Sequence, residues 1–273
     1  MSALVTRQDI TAAVQALGVV PGDILLVHSS YKSLGPVEGG PDAVIGGLED
    51  ALGKEGTLVM PTLCQGDLLQ AYESWYMDKP SDVGFLTEYF RKQIYVYRSN
   101  HPTHSVAARG KHAYELTFEH AARGPHYCPF GEYAFADSSP WVKMYEKGAK
   151  ILFLGCGARY NTMKHMVEGR FVEENLAAVA DPDARQALLR RLRHLGVDAG
   201  IYMFYNGADM CDALEEEGLV QRTRCGNAEL ICINAKDSAD ASLQQLRTHP
   251  ERWLNEAKLQ WLADCKAAGK VTF

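Results

Sequence analysis

Apolar positions recur along this chain with two periods, and the switches between them mark its elements. After Thr6, the residues Ile10, Ala13, Val14 and Leu17 fall at helical spacing, and Thr6 followed by Asp9 reads as a helix N-cap. Pro21, Gly22 and Asp23 turn the chain, and the unbroken apolar run over 24–28 predicts a buried strand. Gly39 and Gly40 introduce a second helix that reaches residue 52, with Pro41 suited to a first helical turn. The run over 56–61, closed by Pro61, predicts a second buried strand. Beyond a polar stretch carrying Tyr72, Trp75 and Tyr76, a helix is predicted over 86–93 and a strand over 95–97. Residues 150–154 form a strand stopped by Gly155, Cys156 and Gly157, and a helix begins near Asn161. Residues 183–195 read as a basic amphipathic helix, 230–233 as a strand, and two helices finish the chain. Apolar strands alternating with helices predict an α/β fold, a sheet with helices on both faces. No repeat, low-complexity tract or linker divides residues 1–273, so a single domain is expected.

Composition narrows the function classes. The chain has 273 residues, 47% hydrophobic and 23% charged, within the ordinary globular range. A formal net charge of -6 argues against a nucleic-acid-binding surface. No stretch approaches membrane-spanning length and the first residues lack an apolar signal region, so no membrane partner and a cytoplasmic location are expected. The seven cysteines are scattered without C-x-x-C spacing and read as reduced thiols.

Three segments carry side chains suited to chemistry. The first runs from the glycine turn at 155–157 through Asn161 and Thr162 to His165 and Glu168. At i and i+3 on a helix, His165 and Glu168 share one face. A histidine at the carboxyl end of a strand suits general-base work, because open α/β sheets bind ligands there and imidazole titrates near neutral pH. An N-cap followed by a surface salt bridge would leave the same trace in sequence.

The second segment is His101-Pro102-Thr103-His104-Ser105. With His165 and Glu168 it could suggest a metal site. Pro102, however, breaks the helical register that brings closely spaced histidines together, and no cysteine is positioned to help, so no metal is expected. A rigid wall offering hydrogen bonds from Thr103, His104 and Ser105 is the better reading.

The third segment, residues 29–35, follows a strand and precedes a helix. Its serines, backbone N–H groups and lysine suit a pyrophosphate or pantetheine, and equally a serine-rich surface turn. Neither G-x-x-x-x-G-K-S/T nor G-x-G-x-x-G nor G-x-S-x-G occurs, which argues against a P-loop, a Rossmann fingerprint and a hydrolase elbow. Cys156 reads as a small residue in a tight turn rather than an activated thiol, and Arg185, Arg190, Arg191 and Arg193 as a solvated helix face.

Four motifs in order carry a family resemblance. They are Val27-His28-Ser29-Ser30-Tyr31-Lys32-Ser33-Leu34-Gly35-Pro36 with Gly39-Gly40-Pro41 and the run 56–62; Arg98-Ser99-x-His101-Pro102-x-x-Ser105-Val106-Ala107-Ala108-x-Gly110; Ser139-Pro140 with Gly155-x-Gly157 and Asn161-Thr162-x-x-His165-x-x-Glu168; and Gly226-Asn227-Ala228-Glu229. From about residue 7 to residue 260 the chain resembles the aminoglycoside 3-N-acetyltransferase family. The resemblance implies a family-specific α/β fold with a central mixed sheet, distinct from the commoner acetyltransferase fold and its Q/R-x-x-G-x-G/A loop.

The same resemblance implies acetyl-CoA as donor, with pantetheine and phosphates held along Ser29, Ser30, Tyr31, Lys32, Ser33, Leu34 and Gly35 and near Ser105 and Val106. It implies His165 as the base, with Glu168 facing the acceptor amine; Asn161, His101 and His104 are further expected acceptor contacts. The expected reaction is direct transfer of acetyl to an amino group of a small molecule, an aminoglycoside-type antibiotic first. A different amine metabolite and a CoA-binding protein without turnover are the alternatives, and a second copy of the chain is a further expected partner. Two departures stand out. Arg159 occupies a position where family members often carry Asp. The segment at about 169–225 lacks the acidic, strand-forming insert, offering instead Asp181-Pro182-Asp183, the basic helix and the stretch 200–206, with Glu173, Glu174, Asp209, Asp212 and Glu215 to Glu217 as candidate carboxylates for a cationic acceptor.

Overall fold

Seven strands make one mixed sheet in the computed structural model, which describes residues 4–66, 71, 73–120, 134–195 and 204–269. They are β1 (Ile24–Ser29), β2 (Thr57–Pro61), β3 (Tyr97–Arg98), β4 (Val106–Gly110), β5 (Lys150–Leu154), β6 (Val220–Cys225) and β7 (Ala228–Asn234). The order across the sheet is β3-β4-β2-β1-β5-β7-β6. β1 runs parallel to β2 on one side and to β5 on the other, and the flanking pairs are antiparallel. The three central strands are covered on both faces, which is why each reads as a continuous apolar run rather than an alternation.

Alternate residues of these strands feed two cores. Leu25, Val27, Leu58, Met60, Leu152 and Leu154 face α1 (Arg7–Ala16), α2 (Gly40–Leu52) and α3 (Phe85–Arg91), packing with Ile10, Val14, Leu48 and Phe90. Leu26, Val59, Ile151 and Phe153 face the opposite layer, where Trp141, Met166, Phe171, Leu243 and Trp261 meet them. That layer holds α5 (Pro140–Glu146), α6 (Lys164–Ala177), α9 (Ala235–Thr248) and α11 (Glu256–Gly269); the short α4 (Ala113–Thr117) precedes α5 in sequence, and the short α10 (Pro250–Trp253) joins α9 to α11. Thr6 caps α1 through a full capping box with Asp9. α1 and α2 approach closely because α2 has glycine at position 47, where a Cβ would lie 2.7 Å from the Arg7 carbonyl oxygen.

The structure departs from the sequence expectation at the sheet margins. β4 and β6 are strands that no run predicts. β4 is alanine-rich and ends in Arg109 and Gly110, while β6 is an edge strand with Gln221, Arg222 and Arg224 directed largely to solvent. The strand expected over 95–97 starts at Tyr97, because Tyr95 takes a left-handed φ of 61°. Between 169 and 225 the chain is mostly helical: the rest of α6, then α7 (Pro182–Leu195) and α8 (Gly207–Glu216). Residues 200–203 of the stretch noted in that segment lie outside the described residues, as does Cys128. Among the described residues, no helix is long and apolar enough to cross a membrane.

Candidate active site

Because β1 and β5 are adjacent and parallel, their carboxyl ends deliver two loops to one edge of the sheet, where α/β folds hold ligands. The Ser30 N–H donates to the Leu154 carbonyl at 2.8 Å and ties the loops together. Gly155 then turns at φ 67°, and a Cβ there would collide with the Ser33 side chain. Only glycine lets the two loops pack this closely.

The β1 loop supplies His28, Ser29, Ser30, Tyr31 and Lys32 to a cleft of about 670 Å³, within the range of small-molecule sites. His28 is buried, stacks on Phe153 with centroids 5.4 Å apart, and is pushed down to about 3 by burial, so its ring is neutral. Among the described residues its Nε2 and the Ser29 Oγ are buried without a hydrogen-bond partner. Orphaned polar atoms in a cleft wall fit a ligand with amide or carbonyl groups, which pantetheine has. Ser33 instead bonds the Ser30 carbonyl at 2.6 Å, Leu34 is fully buried in the core, and Gly35 ends the 3-10 turn. These three shape the loop from behind.

The β5 loop leads through a 3-10 turn, Ala158–Tyr160, into α6. The helix starts at Lys164 rather than at Asn161, whose side chain accepts from the Met163 N–H at 3.0 Å. Asn161, Lys164 and His165 line the cleft. His165 lies 2.7 Å, through Nδ1, from Glu168 Oε2, and the other carboxylate oxygen accepts from the Phe204 N–H at 2.8 Å. Neither residue forms a surface salt bridge, for His165 is 8% exposed and Glu168 0%. An acceptor-only carboxylate at Nδ1 places the proton there and leaves the basic lone pair on Nε2. Burial lowers the His165 pKa, with Lys164 adding to the effect and Glu168 opposing it, so the imidazole is neutral and able to take a proton at neutral pH. Glu168 was expected to face the acceptor amine. It stands behind the imidazole instead, with both oxygens already engaged.

The loop after β3 divides. His104 lines the cleft, edge-on to His165 at 6.4 Å, with Nδ1 2.8 Å from Thr103 Oγ1 and Nε2 3.3 Å from the Gln65 amide nitrogen. His101 points inward; its Nδ1 accepts from the Thr103 and His104 N–H groups, and its ring stacks on His120 at 4.7 Å. Ser105 donates to the Thr62 carbonyl at 2.8 Å, and Val106 is buried in β4. His101, Ser105 and Val106 therefore support the wall without forming its surface. Arg98 fixes the same wall, donating to the carbonyls of Thr62, Met77 and Lys79 and stacking over Trp75.

Several lining residues escaped the sequence reading: His28, Gln65, Phe85, Tyr160 and Lys164. His28 is hidden in an apolar run, and Lys164 beside the more conspicuous His165. Cys156 also lines the cleft, but burial pushes its thiol up to about 12, which removes it as a nucleophile at neutral pH. Among the described residues, no three His, Cys, Asp or Glu side chains converge on a point that could hold a metal ion.

Residues 26–247 match a family model described as aminoglycoside 3-N-acetyltransferase. The chain is 33% identical over 186 residues to the SPbeta prophage-derived aminoglycoside N(3')-acetyltransferase-like protein YokD of Bacillus subtilis (strain 168), covering 60% of this chain and 65% of that one. It is 26% identical over 269 residues to aminoglycoside N(3)-acetyltransferase VII of Streptomyces paromomycinus, covering 86% and 89%. The match thus spans just under two thirds of the Bacillus protein and 54% of a Salmonella aminoglycoside N(3)-acetyltransferase IV that is 35% identical over 152 residues, 56% of this chain. Among solved structures, the fold matches apo aminoglycoside acetyltransferase AAC(3)-IVa with a TM-score of 0.69 at 24% identity, covering 98% and 99% of the two chains. A mutant of that enzyme in complex with apramycin matches at 0.64 and 25% identity, over 92% and 95%.

Proposed function

The chain belongs to the aminoglycoside 3-N-acetyltransferase family, and from that premise we propose that it transfers acetyl from acetyl-CoA directly to an amino group of a small molecule, with His165 as general base. The observation that carries the reading is the Glu168–His165 pair, buried in the wall of the cleft that the Ser29–Lys32 side of the β1 loop also lines. When bound, acetyl-CoA supplies a thioester carbonyl as the electrophile.

The chain's own residues account for the remaining work. His165 Nε2 takes the proton that the amine must lose as its nitrogen bonds to the acetyl carbon. Glu168, 2.7 Å from Nδ1, stabilises the imidazolium that results. The C–S bond breaks, and the proton passes from Nε2 to the departing sulfur. Lys32, with Ser29 Oγ and His28 Nε2, which have no hydrogen-bond partner among the described residues, fits the donor's phosphates and amides. The aminoglycoside N(3)-acetyltransferases among its relatives make aminoglycoside-type amines the first acceptors to assay. Mixing the protein with acetyl-CoA and amines, and following free thiol, tests the reading directly. Amine-dependent thiol release is the expected result, and its absence with every amine despite donor binding would leave only a CoA-binding protein.

A further inference from the structure

Among the described residues, the cleft carries charge of one sign. Lys32, Arg159 and Lys164 line it, and among the described residues no carboxylate does. None of these three cations forms an ion pair among the described residues. Glu168, the acid tied to the chemistry, is sealed behind the imidazole with both oxygens engaged.

Lys164 is the most informative of the three. It is 8% exposed, and its Nζ donates to the Tyr205 carbonyl at 3.1 Å and lies 5.8 Å from the Tyr205 ring centroid. Its ammonium is held by a carbonyl and a ring, with no carboxylate partner among the described residues, so an anion brought to it would complete its surroundings. Lys164 also borders a neighbouring recess of about 650 Å³. That recess adds Arg252 and Asp209, one charge of each sign, so it supplies no negative field to offset the cations.

Position divides the cations between the two substrates. Lys32 sits on the serine-rich β1 loop, where the donor's phosphates fit. Arg159 and Lys164 sit on the segment that carries His165, where an acceptor amine must arrive. A polycation brought to that segment meets two like charges, whereas an amine that also bears an anion meets two partners. Resting on the acetyl-transfer reading above, we propose that the preferred acceptor is a small amine carrying an anionic group, a carboxylate or a phosphonate, which Arg159 and Lys164 bind while the amino nitrogen faces His165.

The test is thiol release at saturating acetyl-CoA with a matched panel: an amino carboxylate, an aminoalkyl phosphonate, the neutral ester of each, gentamicin and apramycin. The expected kcat/KM is about tenfold or more higher for the anionic members than for their neutral esters, with the advantage shrinking at roughly 0.5 M salt. The carboxylate and phosphonate arms identify which anion is preferred. Lys164→Gln should raise the acceptor KM and reduce the anionic advantage to about threefold or less, leaving the acetyl-CoA KM unchanged. Arg159→Asp, at an exposed position, should move preference toward gentamicin.

Faster turnover of gentamicin or apramycin than of every anion-bearing amine by the wild type overturns this acceptor class and leaves acetyl transfer standing. So does failure of all anionic members while acetyl-CoA binds. Variants that raise only the acetyl-CoA KM also overturn it, by giving both cations to the donor. If calorimetry detects no acetyl-CoA binding, the acetyl-transfer reading falls along with the acceptor class.

Discussion

Replacing Glu168 by glutamine probes the pairing on which His165 depends. The carboxylate meets His165 Nδ1 at 2.7 Å and the Phe204 N–H at 2.8 Å, at 0% exposure. An amide of the same shape has one acceptor oxygen instead of two. If that oxygen stays on Phe204, the amide NH2 faces Nδ1 and drives the imidazole proton onto Nε2, the nitrogen proposed as the base. If the oxygen turns to His165, the NH2 opposes the Phe204 N–H, donor against donor. A hydrogen bond to an ionised group contributes about 1.5–3 kcal/mol, and about 1.4 kcal/mol is tenfold in rate. The expected loss in kcat is therefore about 10- to 150-fold.

The pH profile should move as well. Burial lowers the His165 pKa and Glu168 raises it back, so removing the carboxylate lowers it further. In the proposed transfer neutral imidazole is the active form, so the acidic limb of kcat/KM should shift to lower pH while the plateau falls. Thiol release measured from about pH 5 to 9 reads both effects, with the acetyl-CoA KM as control. A variant within about twofold of the wild-type rate, its acidic limb unmoved, would refute the reasoning.

Two further outcomes follow from the same structure. His28, His104 and His120 have pKa values depressed first of all by burial, His28 to about 3. Unfolded, each titrates near 6.5, so below that pH the unfolded chain takes up protons the folded chain refuses. Stability should thus fall by about 1.4 kcal/mol per histidine per pH unit on acidification from about pH 6.5 until each folded pKa is reached, seen as a dropping urea midpoint. His28→Phe should reduce that slope by one proton's worth, and a flat midpoint would contradict the burial of neutral rings. Gly155→Ala should destabilise by more than about 1–2 kcal/mol, the cost of left-handed backbone, because its Cβ also strikes Ser33. The same change pushes the two loops apart, so the acetyl-CoA KM should rise, and an unaltered KM and Tm would count against the close packing.

The sequence exposed the centre of this molecule better than its margins. Strands β1, β2 and β5 are buried on both faces and spell themselves as apolar runs. β4 and β6 owe their existence to partners: the register of Val106 opposite Pro61, or of Arg222 opposite Ile231, leaves no local signature in alanine or alternating charge. The i, i+3 spacing placed His165 and Glu168 on one face, yet their burial could not be read from it. That burial depends on the Phe204 N–H, 36 residues further along the chain.

His101 and His104 stand three residues apart with opposite fates, one capping its own loop and the other facing the cleft. Such a division follows from backbone geometry, which residue types do not encode. Lys164 was hidden for a similar reason: a lysine in a helical first turn is ordinarily solvated, and only the packing of Tyr205 against it makes it a buried cation.

His165→Ala, examined for both donor binding and turnover, confronts the account most directly. Calorimetry should give an acetyl-CoA Kd within about threefold of wild type, while kcat for thiol release falls by roughly two to four orders of magnitude. Turnover close to that of the wild type with the imidazole gone would take the proton transfer away from His165 and end the account.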